Sequence, residues 1–312
     1  MSPRRRPLVR RLALLGIGLI GSSVARAARR AKLAGEIVCY SRRAETRKSA
    51  LKLGVVDRAY ADPAEAVDGA DMVVLCVHLG AYLEVGRRMA PALAKGAIVT
   101  DVGSTKQSVI RDLKPLLPKG VHLVPGHPVA GTEHSGPAAG FAELFDNRWC
   151  ILTPAAKTAK PAVNKVTQLW RGMGAHVQVM DARHHDLVLA ITSHLPHLIA
   201  YNIVGTAADL EQVTKSEVIK YSAGGFRDFT RIAASDPVFW RDVFLNNKDA
   251  VLEVLGRFTE DLHALQRAIR WSDGQSLESL FTRTRAIRRG IIQAGQETAA
   301  PDFGRLAASG KR

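Results

Sequence analysis

The sequence predicts a doubly wound α/β domain over residues 1–180 followed by an all-helical half over residues 181–312. Three observations predict it. Short continuous apolar runs alternate with helix-like stretches from about Val9 to Val179. The first of these runs ends in a glycine-spaced turn that opens a helix. After Asp181 the strand-like runs stop and only helical patterns remain.

Each element follows from its residues. Residues 12–18 (LALLGIG) read as a buried strand, and residues 19–33 as a helix ended near Gly35. Residues 36–40 (EIVCY), 71–77 (DMVVLCV) and 96–102 (GAIVTDV) are apolar runs too short for helices. They suit parallel strands covered on both faces. Helical stretches at 81–93 and 106–113 separate them, and 121–126 (VHLVPG), 149–154 (WCILTP) and 175–180 (AHVQVM) add further strands. The second half predicts helices over 184–209, 213–221, 237–270 and 277–294, with a frayed tail from about Ala299.

Composition narrows the class. With 312 residues and 46% hydrophobic content, the chain has the length and core of a soluble two-domain protein. No apolar run approaches the ~20 residues that span a bilayer, so no membrane partner is expected. The basic start, MSPRRRPLVRR, runs into an apolar segment as a secretory signal does, but that segment carries its own glycine pattern and no small-residue cleavage site follows. Cys39, Cys76 and Cys150 are odd in number, widely spaced and set in apolar runs. They read as buried thiols of a cytoplasmic protein, not a disulfide framework or a zinc site. The formal net charge of +15 invites a nucleic-acid reading. The cations are spread along the chain, however, so an enzyme acting on anionic substrates is the milder explanation and no nucleic-acid partner is expected.

The glycine turn is Gly16-Ile17-Gly18-Leu19-Ile20-Gly21, a G-x-G-x-x-G between strand and helix. Gly16 permits the tight turn, Gly18 leaves room for a pyrophosphate, and Gly21 lets helix and strand pack closely, with the helix N-terminus favouring phosphate. In this setting it is a Rossmann-type dinucleotide site. The second strand ends in Ser41-Arg42-Arg43, with no acid until Glu45. A carboxylate there would hold a ribose 2′-hydroxyl, whereas a hydroxyl and guanidinium groups suit a 2′-phosphate, so NADP is expected over NAD. Solvated surface arginines are the competing reading. Leu19, Ile20, Cys76 and Gly103 are expected to contact the cofactor as well.

Four polar clusters remain: Asp101-Val102-Gly103-Ser104-Thr105-Lys106; Gly126-His127-Pro128-Val129-Ala130-Gly131-Thr132-Glu133; Ser193-His194-Leu195-Pro196-His197; and Gly224-Gly225-Phe226-Arg227-Asp228-Phe229-Thr230-Arg231. In this order, with the glycine turn before them, the chain resembles the prephenate/arogenate (cyclohexadienyl) dehydrogenase family from Leu12 to about Leu255. The resemblance implies a nucleotide-binding domain joined to a helical domain that builds a homodimer. It also implies oxidative decarboxylation of prephenate to 4-hydroxyphenylpyruvate, or of arogenate to tyrosine, with hydride transfer to the nicotinamide.

That chemistry needs a base beside the ring hydroxyl, a hydride acceptor, and donors for two carboxylates. His127, at a strand end and with a pKa range near neutral, is the candidate base; a structural loop histidine is the competing role. Ser104 matches the family's active-site serine and would hold the histidine or the ring hydroxyl, or else cap a helix starting near Thr105. His194 and His197 lie one helical turn apart. Their spacing would serve a metal, but no third ligand appears, so no metal is expected and they are assigned to the substrate pocket. Pro196 between them signals a kink or a helix start. Arg231 matches the family's arginine for a substrate carboxylate, which suits its two-pronged geometry. Thr132, Glu133, Gly225 and Trp240 complete the expected substrate contacts. Prephenate is favoured over arogenate because His194, His197 and Arg231 suit a keto acid with two carboxylates, although Glu133 would suit an ammonium group. A β-hydroxyacid dehydrogenase would carry a helix lysine in place of the G-H-P loop. A nucleotide-binding regulator would not need the base, serine and arginine together.

Overall fold

The computed structural model describes residues 6–132, 134–211 and 224–293. The helix expected over 213–221, the tail from about Ala299, and Glu133 lie outside them.

Six parallel strands form the main sheet: β1 (Val9–Leu15), β2 (Ala34–Tyr40), β3 (Arg58–Tyr60), β4 (Met72–Leu75), β5 (Ile98–Asp101) and β6 (His122–Leu123), in the order β3-β2-β1-β4-β5-β6. Strand order reverses beside β1, where the chain steps from β3 across to β4. That reversal opens a crevice at the carboxyl ends of the strands. The apolar runs are continuous because both faces are covered. Leu12, Leu14, Ile37 and Val74 pack into one core cluster, and Ala13, Leu15, Val38 and Val73 into another. Helices α1 (Leu19–Arg30), α2 (Ala44–Lys52), α3 (Pro63–Val67), α4 (Tyr82–Met89) and α5 (Gln107–Leu113) connect the strands.

A second, three-stranded sheet was not foreseen. The run 121–126 is divided: β6 stays in the main sheet, while β7 (Gly126–Pro128) pairs antiparallel with β8 (Trp149–Leu152), which pairs in parallel with β9 (His176–Val179). Pro125 sits at the division. It has no N–H for a ladder, and its carbonyl instead accepts from Thr153 N at 2.9 Å. Helix α6 (Lys160–Gly172) packs beneath this sheet through Val166, Leu169 and Trp170.

The helical stretch expected over 184–209 is three pieces: α7 (Ala182–Leu189), a π turn at Ala190–His194, and α8 (Leu195–Glu211). The π turn lies just before Pro196, whose missing N–H and ring forbid the regular α register toward Thr192. By length and composition, residues 182–210 form a helix apolar enough to cross a bilayer, although charged and polar residues interrupt its apolar run. Along it Leu189, Ala190, Leu195 and Ala200 are buried, with polar His185, Asp186 and His194, while Ile191, Val204 and Leu210 are exposed.

The single helix expected over 237–270 is also broken. Short α9 (Gly224–Thr230) precedes α10 (Pro237–Asn246), and α11 (Lys248–Arg270) follows after Asn247. Asn247 leaves helical geometry at φ −117° and ψ 30°, and its side chain is committed elsewhere, as shown below. Helix α12 (Gly274–Gln293) follows, its N-terminus capped by Asp273, whose carboxylate accepts from Ser276 N at 3.0 Å. Packing divides the chain into two compact units, one running to Leu252 and one beginning at Glu253. In the second unit Leu262, Ile269, Phe281 and Ile287 are exposed apolar residues. Cys39 and Cys150 are buried free thiols. Cys76 is only half-buried, because it follows the last residue of β4, where the strand opens to the glycine turn.

Candidate active site

The glycine turn joins β1 to α1 next to the strand-order reversal. Gly16 has φ +108°, a conformation that disfavours any side chain, and a Cβ there would lie 2.6 Å from the Cys76 carbonyl. A Cβ on Gly21 would strike the Gly16 carbonyl and stand 3.3 Å from Cys76 Cβ. By contrast, nothing lies within 4 Å of the Cβ position at Gly18, the N-cap of α1. The backbone is therefore closed on its protein side and open where a pyrophosphate approaches. Leu19 and Ile20, half-buried, form the first turn of α1. These residues fit a dinucleotide. Ser41, Arg42 and Arg43 follow β2 at the same edge, and Gly16 N donates to Tyr40 O at 3.0 Å. Arg47 steadies this corner by donating to the carbonyls of Ser41 (2.6 Å) and Arg42 (3.0 Å), while Arg42 and Arg43 are exposed.

His127 is held by β7. The strand is tied to the end of β5 through Asp101, whose carboxylate accepts from Gly126 N at 3.0 Å, Gly103 N at 2.8 Å and Tyr82 Oη at 3.2 Å. The fully buried Lys106 ammonium donates to Asp101 at 2.6 Å and to Gly126 O at 2.6 Å. Gly103 is tight for this reason: a Cβ there would stand 3.0 Å from both Asp101 Oδ2 and Tyr82 Oη.

The His127 ring is buried, and its Nδ1 lies 2.9 Å from His185 Nε2. His185 Nδ1 lies 2.8 Å from Asp186 Oδ1. Burial, then the neighbouring His185, Lys106 and His194, push the His127 pKa well below the usual histidine value. The near-neutral pKa expected from the sequence is thus corrected: the ring is kept neutral by its dry surroundings. Among the described residues the His127 ring is hydrogen-bonded to His185 and not to Ser104. Nor does Ser104 cap a helix near Thr105. Helix α5 starts at Gln107 and is capped from α7, where Asp186 accepts from Lys106 N at 2.7 Å and Gln107 N at 2.9 Å. Ser104 lies beside His194 through its backbone.

His194, His197 and Trp240 come together as expected. The His197 ring stacks on Trp240 with centroids 3.6 Å apart and planes at 23°, and His194 meets the same indole edge-on at 6.1 Å. His194 Nδ1 lies 3.0 Å from Asn247 Nδ2, which also donates to Asp186 O at 2.8 Å. Burial lowers His194 to about 4. Exposed Arg231 is close enough for its charge to lower His197, whose shift comes first from burial. Thr132 and Gly225 are not brought into this cluster. Thr132 accepts from His134 N at 3.3 Å within its own loop, and Gly225 is exposed in α9.

The sequence reading assigned no role to His185, Asp186, Asn247, Asp101 or Lys106. The last two lay inside a cluster already noted for its serine and glycine. The signal for His185 and Asp186 was the polar pair itself, set just ahead of the apolar run Leu187–Ile191; Asn247 gave none.

A family model described as prephenate dehydrogenase, nucleotide-binding domain, matches residues 24–179, and one described as prephenate dehydrogenase, dimerization domain, matches residues 181–283. This chain belongs to the prephenate dehydrogenase family. The family resemblance read from the motifs therefore holds, as do the Rossmann-type sheet and the nicotinamide-dependent oxidoreductase class. Among relatives, a cyclohexadienyl dehydrogenase of Zymomonas mobilis is 44% identical over 277 residues, 89% of this chain and 94% of that protein. A prephenate dehydrogenase of Bacillus subtilis is 34% identical, covering 94% of this chain and 78% of that one. The crystal structure of prephenate dehydrogenase from Aquifex aeolicus in complex with hydroxyphenyl propionate and NAD+ superposes with TM-score 0.84 and 33% identity, over 93% of this chain and 100% of that one.

Proposed function

We propose that this prephenate dehydrogenase family member oxidises and decarboxylates prephenate to 4-hydroxyphenylpyruvate, with NADP preferred over NAD. The observation that carries it is the neutral, buried His127, one ring nitrogen committed to His185 and the other making no hydrogen bond among the described residues. His127 accepts the proton of the ring hydroxyl. A dinucleotide held on the Gly16–Gly21 turn would supply the acceptor for the hydride of ring carbon 4. Carbon dioxide leaves carbon 1, and aromatisation makes the step one-way. His197, held flat on Trp240, and Arg231 bind the substrate carboxylates. His194 closes the pocket beside Ser104. The NAD+ in the Aquifex aeolicus structure and the name of the Bacillus subtilis relative support the class of cofactor and substrate. A solved neighbour from Synechocystis is an arogenate dehydrogenase, 26% identical with TM-score 0.76, so arogenate is the second reading.

The preference for NADP rests on Ser41 and the exposed Arg42 and Arg43, with Glu45, the first acid after β2, placed in α2. The test is the absorbance at 340 nm with prephenate and arogenate, each crossed with NAD and NADP. Prephenate with NADP is expected to give the highest kcat/KM, and Ser41→Asp to move the preference toward NAD. Equal or better use of NAD by the unaltered enzyme would remove the assignment of the β2 corner, and a preference for arogenate would remove that of the substrate.

We also place the domain boundary at 180/181, supported by the limits of the two family matches. A homodimer built by the helical half is supported by the dimerization description and by the exposed apolar residues of α11 and α12. The free cysteines and the biosynthetic relatives favour a cytoplasmic setting.

A further inference from the structure

We propose that Asp186 and His185 are positioning residues that fix His127 in the tautomer with its proton on Nδ1, leaving Nε2 as the lone pair that takes the substrate proton. This rests on His127 being the base, as read above.

The assignment follows from counting protons. Asp186 meets three donors: Lys106 N (2.7 Å), Gln107 N (2.9 Å) and His185 Nδ1 (2.8 Å). Two of these are backbone N–H groups that can only donate, and an ionised carboxylate can only accept. His185 Nδ1 therefore carries a hydrogen. A neutral imidazole has one N–H, so His185 Nε2 must accept. The group facing it is His127 Nδ1, at 2.9 Å. That nitrogen must donate, and Nε2 of His127 is left as the lone pair.

The surroundings keep both rings neutral. Lys106 and its partner Asp101 face His127 from the start of α5 and the end of β5, Cys150 from β8, His194 from the π turn, and His185 with Asp186 from α7. Burial is the first cause lowering both His127 and His185. Burial alone would raise the Asp186 carboxyl, but His185 and the two backbone amides outweigh it and hold it below the usual range. In the reaction, the substrate O–H bond breaks and an N–H bond forms at His127 Nε2. The O–H electron pair stays on oxygen and becomes the new carbonyl bond as hydride departs to the cofactor. The imidazolium formed keeps its Nδ1–H bond to His185, with the Asp186 charge at the end of the line, the role the carboxylate has in serine-protease triads.

Asp186 also caps α5, so loss of activity alone would not separate positioning from folding. In Asp186→Asn either amide orientation sets an NH₂ group against a backbone N–H. One of them also donates to His185 Nδ1, reversing both tautomers. The test is ¹⁵N NMR of the full-length, histidine-labelled protein, with His127 assigned by its loss in His127→Asn. At neutral pH the unaltered protein should show a protonated Nδ1 and a pyridine-like Nε2 at His127. Turnover in Asp186→Asn should fall by roughly 10²–10⁴-fold, as the same carboxylate-to-amide exchange does in a serine-protease triad. KM values should stay within about threefold. His185→Gln, whose amide oxygen still accepts from His127, should exceed His185→Leu in kcat by about tenfold or more. A protonated Nε2 at His127 in the unaltered protein would overturn the proposal. If the enzyme turns over neither prephenate nor arogenate, the functional reading fails, while the NMR result still decides the tautomer.

Discussion

Replacing His127 with asparagine is expected to lower kcat by about 10²–10⁴-fold, the usual cost of losing a general base, and to leave cofactor affinity unchanged. The glycine turn that would hold the pyrophosphate lies on β1 and α1, whereas His127 sits on β7 in the second sheet. Binding of the dinucleotide, read by fluorescence, should therefore match the unaltered enzyme while turnover collapses. Near-normal turnover would remove His127 from the chemistry. The unaltered enzyme carries a second signature. A base whose pKa lies well below 6.5 stays unprotonated as the medium is acidified. The acid limb of kcat/KM should accordingly lie below pH 6.5.

Stability is lost on the acid side as well. His127, His185 and His194 all have folded pKa values below the unfolded value of 6.5. The unfolded chain takes up protons first, so their contribution is fully present above pH 6.5. It is lost as pH falls from there toward the folded values, about 4 for His194. Thermal melts between pH 7 and pH 4 should show Tm falling across that window; a flat profile would contradict neutral burial of the three rings.

The second large effect is expected at Lys106. Lys106→Met removes the cation from a fully buried pair and leaves the Asp101 carboxylate with N–H and O–H donors but no counter-charge. Breaking a buried pair in this way costs about 3–5 kcal/mol. That is a large fraction of the roughly 5–15 kcal/mol that holds a domain together. The double variant Lys106→Met/Asp101→Asn should recover part of the loss, because the uncompensated charge is gone. Urea denaturation reads both. A single variant within about 1 kcal/mol of the unaltered protein would mean the pair contributes little, as exposed pairs do.

The glycine turn was legible because its requirements are local: a positive φ at Gly16 and a forbidden Cβ at Gly21 depend on a few neighbouring residues. The parallel strands were legible because burial on both faces leaves continuous apolar runs. Breaks within elements were less so. Pro125 and Pro196 stood in plain view, yet whether a proline ends an element, moves it to another sheet or widens a helix depends on what receives the freed carbonyls. Nothing local predicted the interruption at Asn247, since its amide is engaged by Asp186 and His194, some fifty to sixty residues away.

The sequence by itself determined the sheet-forming runs, the dinucleotide turn, the family, and the histidines and arginine proposed for the substrate chemistry, because each is a matter of residue type at fixed spacing. Only the tertiary structure decided which neighbours those residues have. It gave His127 to His185 in place of Ser104, turned Asp186 into both a helix cap and the end of a hydrogen-bonded line, and buried Lys106 against Asp101. The physical reason is that a side chain's protonation and tautomer are set by the groups that replace water around it. Those groups arrive from β5, β7, α5 and α7, which meet only when the chain has folded.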